Sequence, residues 1–114
     1  MGGECLFCKI VDGGLAAQKV FENDDIIAIK DINPQAPTHL LLITKKHIPA
    51  LAAAEDGDAG ILGRVQLAAR DLARQGKIEN GFRLVTNSGR GAGQTVPHLH
   101  YHFLAGRRLL WPPG

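Results

Sequence analysis

Only one stretch of this 114-residue chain can form a long helix, and every other apolar segment is short. Over residues 58–75, Ile61, Leu62, Val65, Ala68, Ala69 and Leu72 recur at helical spacing and make one apolar stripe. Asp56 or Asp58 can cap its start, Arg70 and Arg74 suit its negative end, and Gly76 can close it. Strand-like runs occupy residues 19–22 and 26–29 around the turn Asn23-Asp24-Asp25, then 39–44, 81–87 and 98–105. Residues 5–11, ended by Gly13-Gly14, suit one or two helical turns. A parallel doubly wound sheet needs more crossover helices than this chain has. The pattern predicts an α+β fold: a mainly antiparallel five-stranded sheet with one long and one short helix.

No linker or repeat divides the sequence, so residues 1–114 are expected to form one domain. Hydrophobic residues are 45% and charged residues 21%, the composition of a soluble globular chain. A formal net charge of +2, evenly spread, argues against a general nucleic-acid or membrane-surface binder. The longest apolar run, Ala50-Leu51-Ala52-Ala53-Ala54, is far short of a membrane span. Glu4 and Lys9 bracket too short an apolar patch for a signal peptide, and Leu6 stands where N-myristoylation wants a hydroxyl. A cytoplasmic location is the expectation.

Three of the five histidines, His98, His100 and His102, alternate with Leu99 and Tyr101. On a strand they share one face, which a merely solvated face would have no reason to concentrate. The outer two α-carbons would lie roughly 13 Å apart on an extended strand, so the three are not expected to converge on one ion. Divided labour follows, because a neutral imidazole suits both attack on phosphorus and proton transfer. Immediately before them runs Asn87-Ser88-Gly89-Arg90-Gly91-Ala92-Gly93-Gln94-Thr95. It lacks the ending of a P-loop, yet its glycines let backbone N–H groups approach an anion, and Gln94 and Thr95 add side-chain donors.

With those residues in view, Gln94-Thr95-Val96-Pro97-His98-Leu99-His100-Tyr101-His102-Phe103-Leu104 resembles the signature of the histidine triad (HIT) nucleotide-binding hydrolases. Cys5-Leu6-Phe7-Cys8, Asp31-Ile32-Asn33-Pro34-Gln35-Ala36-Pro37-Thr38-His39 and Lys45-Lys46-His47-Ile48 extend the likeness over nearly the whole chain. The ending Trp111-Pro112-Pro113-Gly114 resembles the Hint branch, the purine nucleoside phosphoramidases. The resemblance implies a nucleophile at His100, a phosphate contact and aid to leaving-group protonation at His102, and an orienting role for His39. It implies nucleotide binding by Asp31 (ribose), Ile32 (base), and Asn87, Gly93, Gln94 and Thr95 (phosphate). It also implies a homodimer with joined sheets, each tail approaching the partner's site. Thr95 keeps the hydroxyl of the serine common there. Pro97 replaces an aromatic found in many relatives and, lacking a backbone donor, is expected to open the last strand.

Cys5 and Cys8 alone permit two small buried hydrophobes, a redox pair or half of a metal site. Two thiolates and two imidazoles would complete a tetrahedral zinc site. The resemblance supplies His47 and His98 as the imidazoles. The expected activity is cleavage of the P–N bond in a purine nucleoside 5′-phosphoramidate through a nucleotidyl-histidine, with zinc and no organic cofactor. The rivals are a dinucleoside polyphosphate hydrolase and a non-catalytic nucleotide-binding or interaction module.

Overall fold

The computed structural model describes residues 5–114. The readings on Met1 to Glu4, namely the domain's start and the lack of a leader or acyl anchor, lie outside the described residues. The elements in chain order are α1 (Leu6–Val11), β1 (Lys19–Glu22), β2 (Ile26–Lys30), β3 (Thr38–Thr44), α2 (Ala59–Gln75), β4 (Phe82–Val85) and β5 (His100–Ala105). The strands form one sheet in the order β1-β2-β3-β5-β4, with every neighbouring pair antiparallel. The α+β expectation is met, and no helix among the described residues is long and apolar enough to cross a membrane.

Both faces of the central strands are covered. Val65, Ala68, Ala69, Leu72 and Ala73 of α2 pack on Ile26, Ala28, Leu40, Leu42, Tyr101 and Phe103. The alternate residues Ile27, Ile29, Leu41 and Ile43 receive Phe7, Cys8 and Ile10 of α1. Two-sided burial is why β2 and β3 read as continuous apolar runs, whereas only β5 alternates visibly with polar histidines. The second face therefore carries both the N-terminal helix and the histidines.

Several boundaries differ from expectation, each for a local reason. The last strand begins at His100, not at residue 98. His98 N–H donates to the Val96 carbonyl at 2.8 Å, a tight turn about Pro97 that removes His98 from the ladder. The fourth strand is shorter than residues 81–87, because Thr86 Oγ1 donates to the His100 carbonyl at 2.8 Å in place of a backbone partner. Asp58 does not cap α2 with its side chain. It acts one turn earlier, where its carboxylate accepts from Glu55 N–H at 2.9 Å and pairs with Lys46 at 2.6 Å.

The end of α2 is a Schellman motif. Ile78 N–H donates to the Ala73 carbonyl and Lys77 N–H to that of Arg74. Gly76 keeps right-handed geometry there, and the left-handed position falls on Lys77 at φ 58°. A lysine in that well carries a steric cost that glycine avoids. Lys77→Gly is therefore expected to stabilise the protein by about 0.5–1 kcal/mol, after the greater chain entropy of glycine is deducted. Thermal unfolding checks this; an unchanged or lower Tm would refute the conformational reading.

Candidate functional site

β3 and β5 bring the histidines together. Leu41 faces His102 and Ile43 faces His100 across the ladder, and His39 lies diagonal to His102. The loop before β3 is held against the end of β5, where Arg107 Nε donates to the Gln35 carbonyl at 2.9 Å. At Gly106, φ is +95° and a Cβ would meet Pro37 at 2.9 Å, so only glycine admits this close approach.

Backbone partners assign the ring protons. Gln35 N–H donates to His39 Nδ1 at 3.0 Å, which places the His39 proton on Nε2. That Nε2 lies 2.9 Å from His102 Nδ1 and 3.3 Å from Asp31 Oδ2. His39 thus donates to His102 with the carboxylate alongside, and His102 carries its own proton on Nε2. Asp31, His39 and His102 are close enough to hold an ion. The Gln35 amide opposes this, because it keeps a proton on the His39 nitrogen that an ion would need. His100 Nδ1–H donates to the His98 carbonyl at 2.7 Å, leaving Nε2 with its lone pair. The His100 ring is edge-on to Phe7, with centroids 4.9 Å apart, and 5.3 Å from His102.

His100 and His102 line a cleft of ≈ 690 Å³, together with Asp31, Ile32, Asn87, Gly93 and Thr95. His39 stands behind His102 and outside the lining. Ile32 is fully exposed at the mouth. Gln94 departs from its expected part. Its amide donates to the Pro49 and Val96 carbonyls at 2.8 and 2.9 Å, and its oxygen accepts from Gly89 N–H at 2.8 Å. Its side chain staples the glycine loop and offers the cleft no donor. An apolar wall of Leu6, Phe7, Ile10, Leu15, Ala16 and Ala17 was not anticipated. The signal was the apolar triplet Leu15-Ala16-Ala17, which lies in no helix or strand.

Behind His100, Cys5, Cys8, His47 and His98 gather with all four ligand atoms within 4.8 Å of one another. His98 Nδ1 lies 3.3 Å from Cys5 Sγ, 3.5 Å from Cys8 Sγ and 3.0 Å from His47 Nδ1, with Cys8 Sγ to His47 Nδ1 at 3.2 Å. A tetrahedral ion with zinc bond lengths separates two nitrogens by about 3.3 Å and nitrogen from sulfur by about 3.6 Å, so the cluster needs only slight expansion. His98 Nε2–H donates to the Thr44 carbonyl at 2.6 Å, which turns the unprotonated Nδ1 toward the other three. Burial lowers the His98 pKa and raises that of Cys8, the latter reinforced by Cys5. A cation would reverse the penalty on the thiols. These four residues form a candidate metal site whose donor set suits a soft divalent ion such as zinc.

A HIT domain model matches residues 13–109, most of the chain. The chain belongs to the HIT family. It is 47% identical over 114 residues to an uncharacterised HIT-like protein of Synechocystis, covering the whole of both. A HIT family hydrolase from Legionella pneumophila superposes with a TM-score of 0.95 at 47% identity, over 97% of this chain and 100% of that one. A histidine triad protein from Clostridium difficile gives 0.90 at 39% identity, with 94% of each chain covered. A histidine triad nucleotide-binding protein from Candida albicans gives 0.81 at 29% identity, over 96% of this chain and 83% of that one. The sheet and helix pair described above are thus the HIT fold.

Burial lowers the His102 pKa below its ordinary 6.5, His100 and His39 lower it further, and Asp31 opposes them. The folded state therefore binds this proton less tightly than the unfolded chain. The stability linked to neutral His102 is fully present above about pH 6.5 and is lost as pH falls toward the folded value. Imidazole NMR is expected to give His102 a midpoint below 6.5, and Asp31→Asn to lower it further. A midpoint above 6.5, or a rise in Asp31→Asn, would refute this arrangement.

Proposed function

We propose that this chain is a nucleotide-binding hydrolase that cleaves the P–N bond of purine nucleoside 5′-phosphoramidates through a nucleotidyl-His100 intermediate. The observation that carries the reading is the His100 tautomer, with Nδ1–H held by the His98 carbonyl and a lone pair on Nε2 of a cleft-lining ring. Nε2 attacks the α-phosphorus, the P–N bond breaks, and the amine departs. His102 donates its Nε2–H toward the phosphoryl oxygens, where charge grows, and helps protonate the leaving nitrogen by ordering the solvent water that supplies the proton. His39 orients His102. Water then attacks the phosphorus and gives one proton back to solvent, the P–Nε2 bond breaks, and the nucleoside monophosphate leaves with the His100 Nε2 lone pair restored.

The cleft's shape supports the substrate class. Asp31 accepts from the ribose hydroxyls, while Ile32 and the apolar wall enclose the base. Asn87, Gly93 and Thr95 receive the phosphate, with Gln94 shaping their loop. The Hint-like ending supports the P–N specificity and a homodimer with joined sheets. Trp111 is 83% exposed, and Arg83 donates to the Leu110 carbonyl at 2.8 Å, so the tail leaves from the β4 edge with its indole uncovered. We assign zinc to Cys5, Cys8, His47 and His98, where it supplies structural stability and no chemistry on the substrate. The absence of an apolar span among the described residues is compatible with a cytoplasmic enzyme.

Rapid acid quench with adenosine 5′-phosphoramidate is expected to trap adenylate on His100. His100→Ala should lose turnover by roughly four orders of magnitude or more and still bind AMP. An adduct on His102, or faster cleavage of a diadenosine polyphosphate, would overturn the assignment. AMP binding without turnover of either substrate would favour a non-catalytic binding module. Elemental analysis of protein purified without chelators is expected to give about one zinc per chain. Removal of residues 110–114 is expected to change substrate preference more than Tm; sedimentation as a monomer would refute the dimer.

A further inference from the structure

The nucleophile proposed above and the Cys/His cluster are in direct physical contact by two routes. The first is His98. Its ring is 0% exposed, with Nδ1 in the cluster and Nε2–H on the Thr44 carbonyl. Its own carbonyl accepts the His100 Nδ1–H at 2.7 Å. The atom that selects the His100 tautomer therefore belongs to a residue whose ring is a candidate ligand. The second route is Phe7, which lies between Cys5 and Cys8 in the sequence. It is 4% exposed, and its ring meets His100 edge-on at 4.9 Å and His98 at 6.1 Å.

The connecting helix cannot hold these positions by itself. α1 has six residues, far below the length at which a helix is stable alone. Its N-cap is Cys5, whose sulfur accepts from Cys8 N–H at 3.5 Å, so the cluster also forms the cap. Without a cation, His47 can keep its 3.0 Å contact with His98 Nδ1 only as the Nδ1–H tautomer, and that single hydrogen bond then stands where a metal would tie both imidazoles and both sulfurs together. His47, on the segment after β3, is the exposed member of the four, so the cluster opens there first. Opening there releases Cys8, and with it the helix that carries Phe7 and the wall residues Leu6 and Ile10.

We infer that the metal centre is a positioning device for the nucleophile: with metal bound, Phe7 and the His98 carbonyl together hold His100 in its Nδ1–H tautomer, and Phe7 is a positioning residue. The inference rests on the reading of His100 as nucleophile, yet its geometric part can be measured without turnover. It assigns the Cys5-to-Cys8 segment a part in reactivity as well as in stability. Loss of metal should then lower both the rate and nucleotide affinity, because one short helix supplies the ring beside His100 and one wall of the cleft.

The test compares zinc-loaded, chelator-treated and zinc-reconstituted protein by ¹⁵N-imidazole NMR, with AMP titration and phosphoramidate turnover in parallel. The zinc-loaded protein should show His100 as a single Nδ1–H tautomer with a slowly exchanging proton. Chelation should convert it to a tautomer mixture and weaken AMP binding several-fold, and zinc should restore both. Phe7→Leu keeps all four ligands and most of the apolar volume, which covers the case in which chelation unfolds the chain. It should retain zinc and lose kcat by about 10- to 100-fold, the scale of a slightly misplaced reacting group, with a smaller change in KM. Phe7→Tyr, which keeps the ring edge, should recover most of that loss. A folded, zinc-free protein with an unchanged His100 Nδ1–H signal would overturn the inference. Phe7→Leu with wild-type kcat and an unchanged signal would overturn it equally. If zinc-loaded wild type shows no phosphoramidate turnover, the proposed activity fails, and the tautomer comparison still decides the coupling.

Discussion

The pairing of β3 with β5 governs everything around the site. In this antiparallel register Leu41 stands opposite His102, Ile43 opposite His100, and His39 opposite Leu104. The three histidines thereby share the face that carries α1, while Leu40, Leu42, Tyr101 and Phe103 share the face under α2. A slip of one residue would drive His100 and His102 into the helix-covered core and turn two aromatics outward, which is why two-sided burial specifies register so strongly. Phe103 anchors it: fully buried, it stacks on Phe82 of β4 with centroids 5.0 Å apart.

Main-chain groups then set the chemistry of the side chains. The Gln35 N–H, the His98 carbonyl and the Thr44 carbonyl each fix one ring nitrogen, of His39, His100 and His98 respectively. Peptide groups do not titrate near neutrality, so this pattern does not depend on a neighbouring charge being present. Prolines place two of these partners. Pro34 and Pro37 stiffen the loop that presents the Gln35 amide, and the turn about Pro97 points the His98 carbonyl at His100. A substitution at any of the three would act on a tautomer without touching an imidazole.

Much of this was legible in the sequence, and the remainder was hidden for identifiable reasons. The α2 stripe and the five strands could be read because their periodicity reflects which face is buried. The shared face of the histidines survived even though His98 lies outside the strand, since side-chain alternation continues through the turn. Boundaries at Pro97 and Thr86 could not be read, because they depend on which carbonyl competes for which donor. The loop contacts of the Gln94 side chain were hidden for a similar reason. A glutamine beside glycines looks like a ligand donor until the Pro49 carbonyl, 45 residues away, is seen to occupy it. The apolar wall was missed because Leu6 and Leu15 follow no period; their neighbours in space are supplied by the sheet. Family likeness proposed His47 and His98 as partners for the cysteines, and spacing alone could not have chosen them among five histidines.

Residues far apart in the sequence meet in this site. Cys5 reaches His98 across 93 residues of sequence, and the cleft has a wall from α1 and a floor from β5. With six residues α1 is too short to be stable alone, so its docking depends on the burial of Phe7 and Ile10 against the sheet and on the Cys/His cluster in contact with it. His100, edge-on to Phe7, is the residue of the site most directly exposed to a loss of that docking.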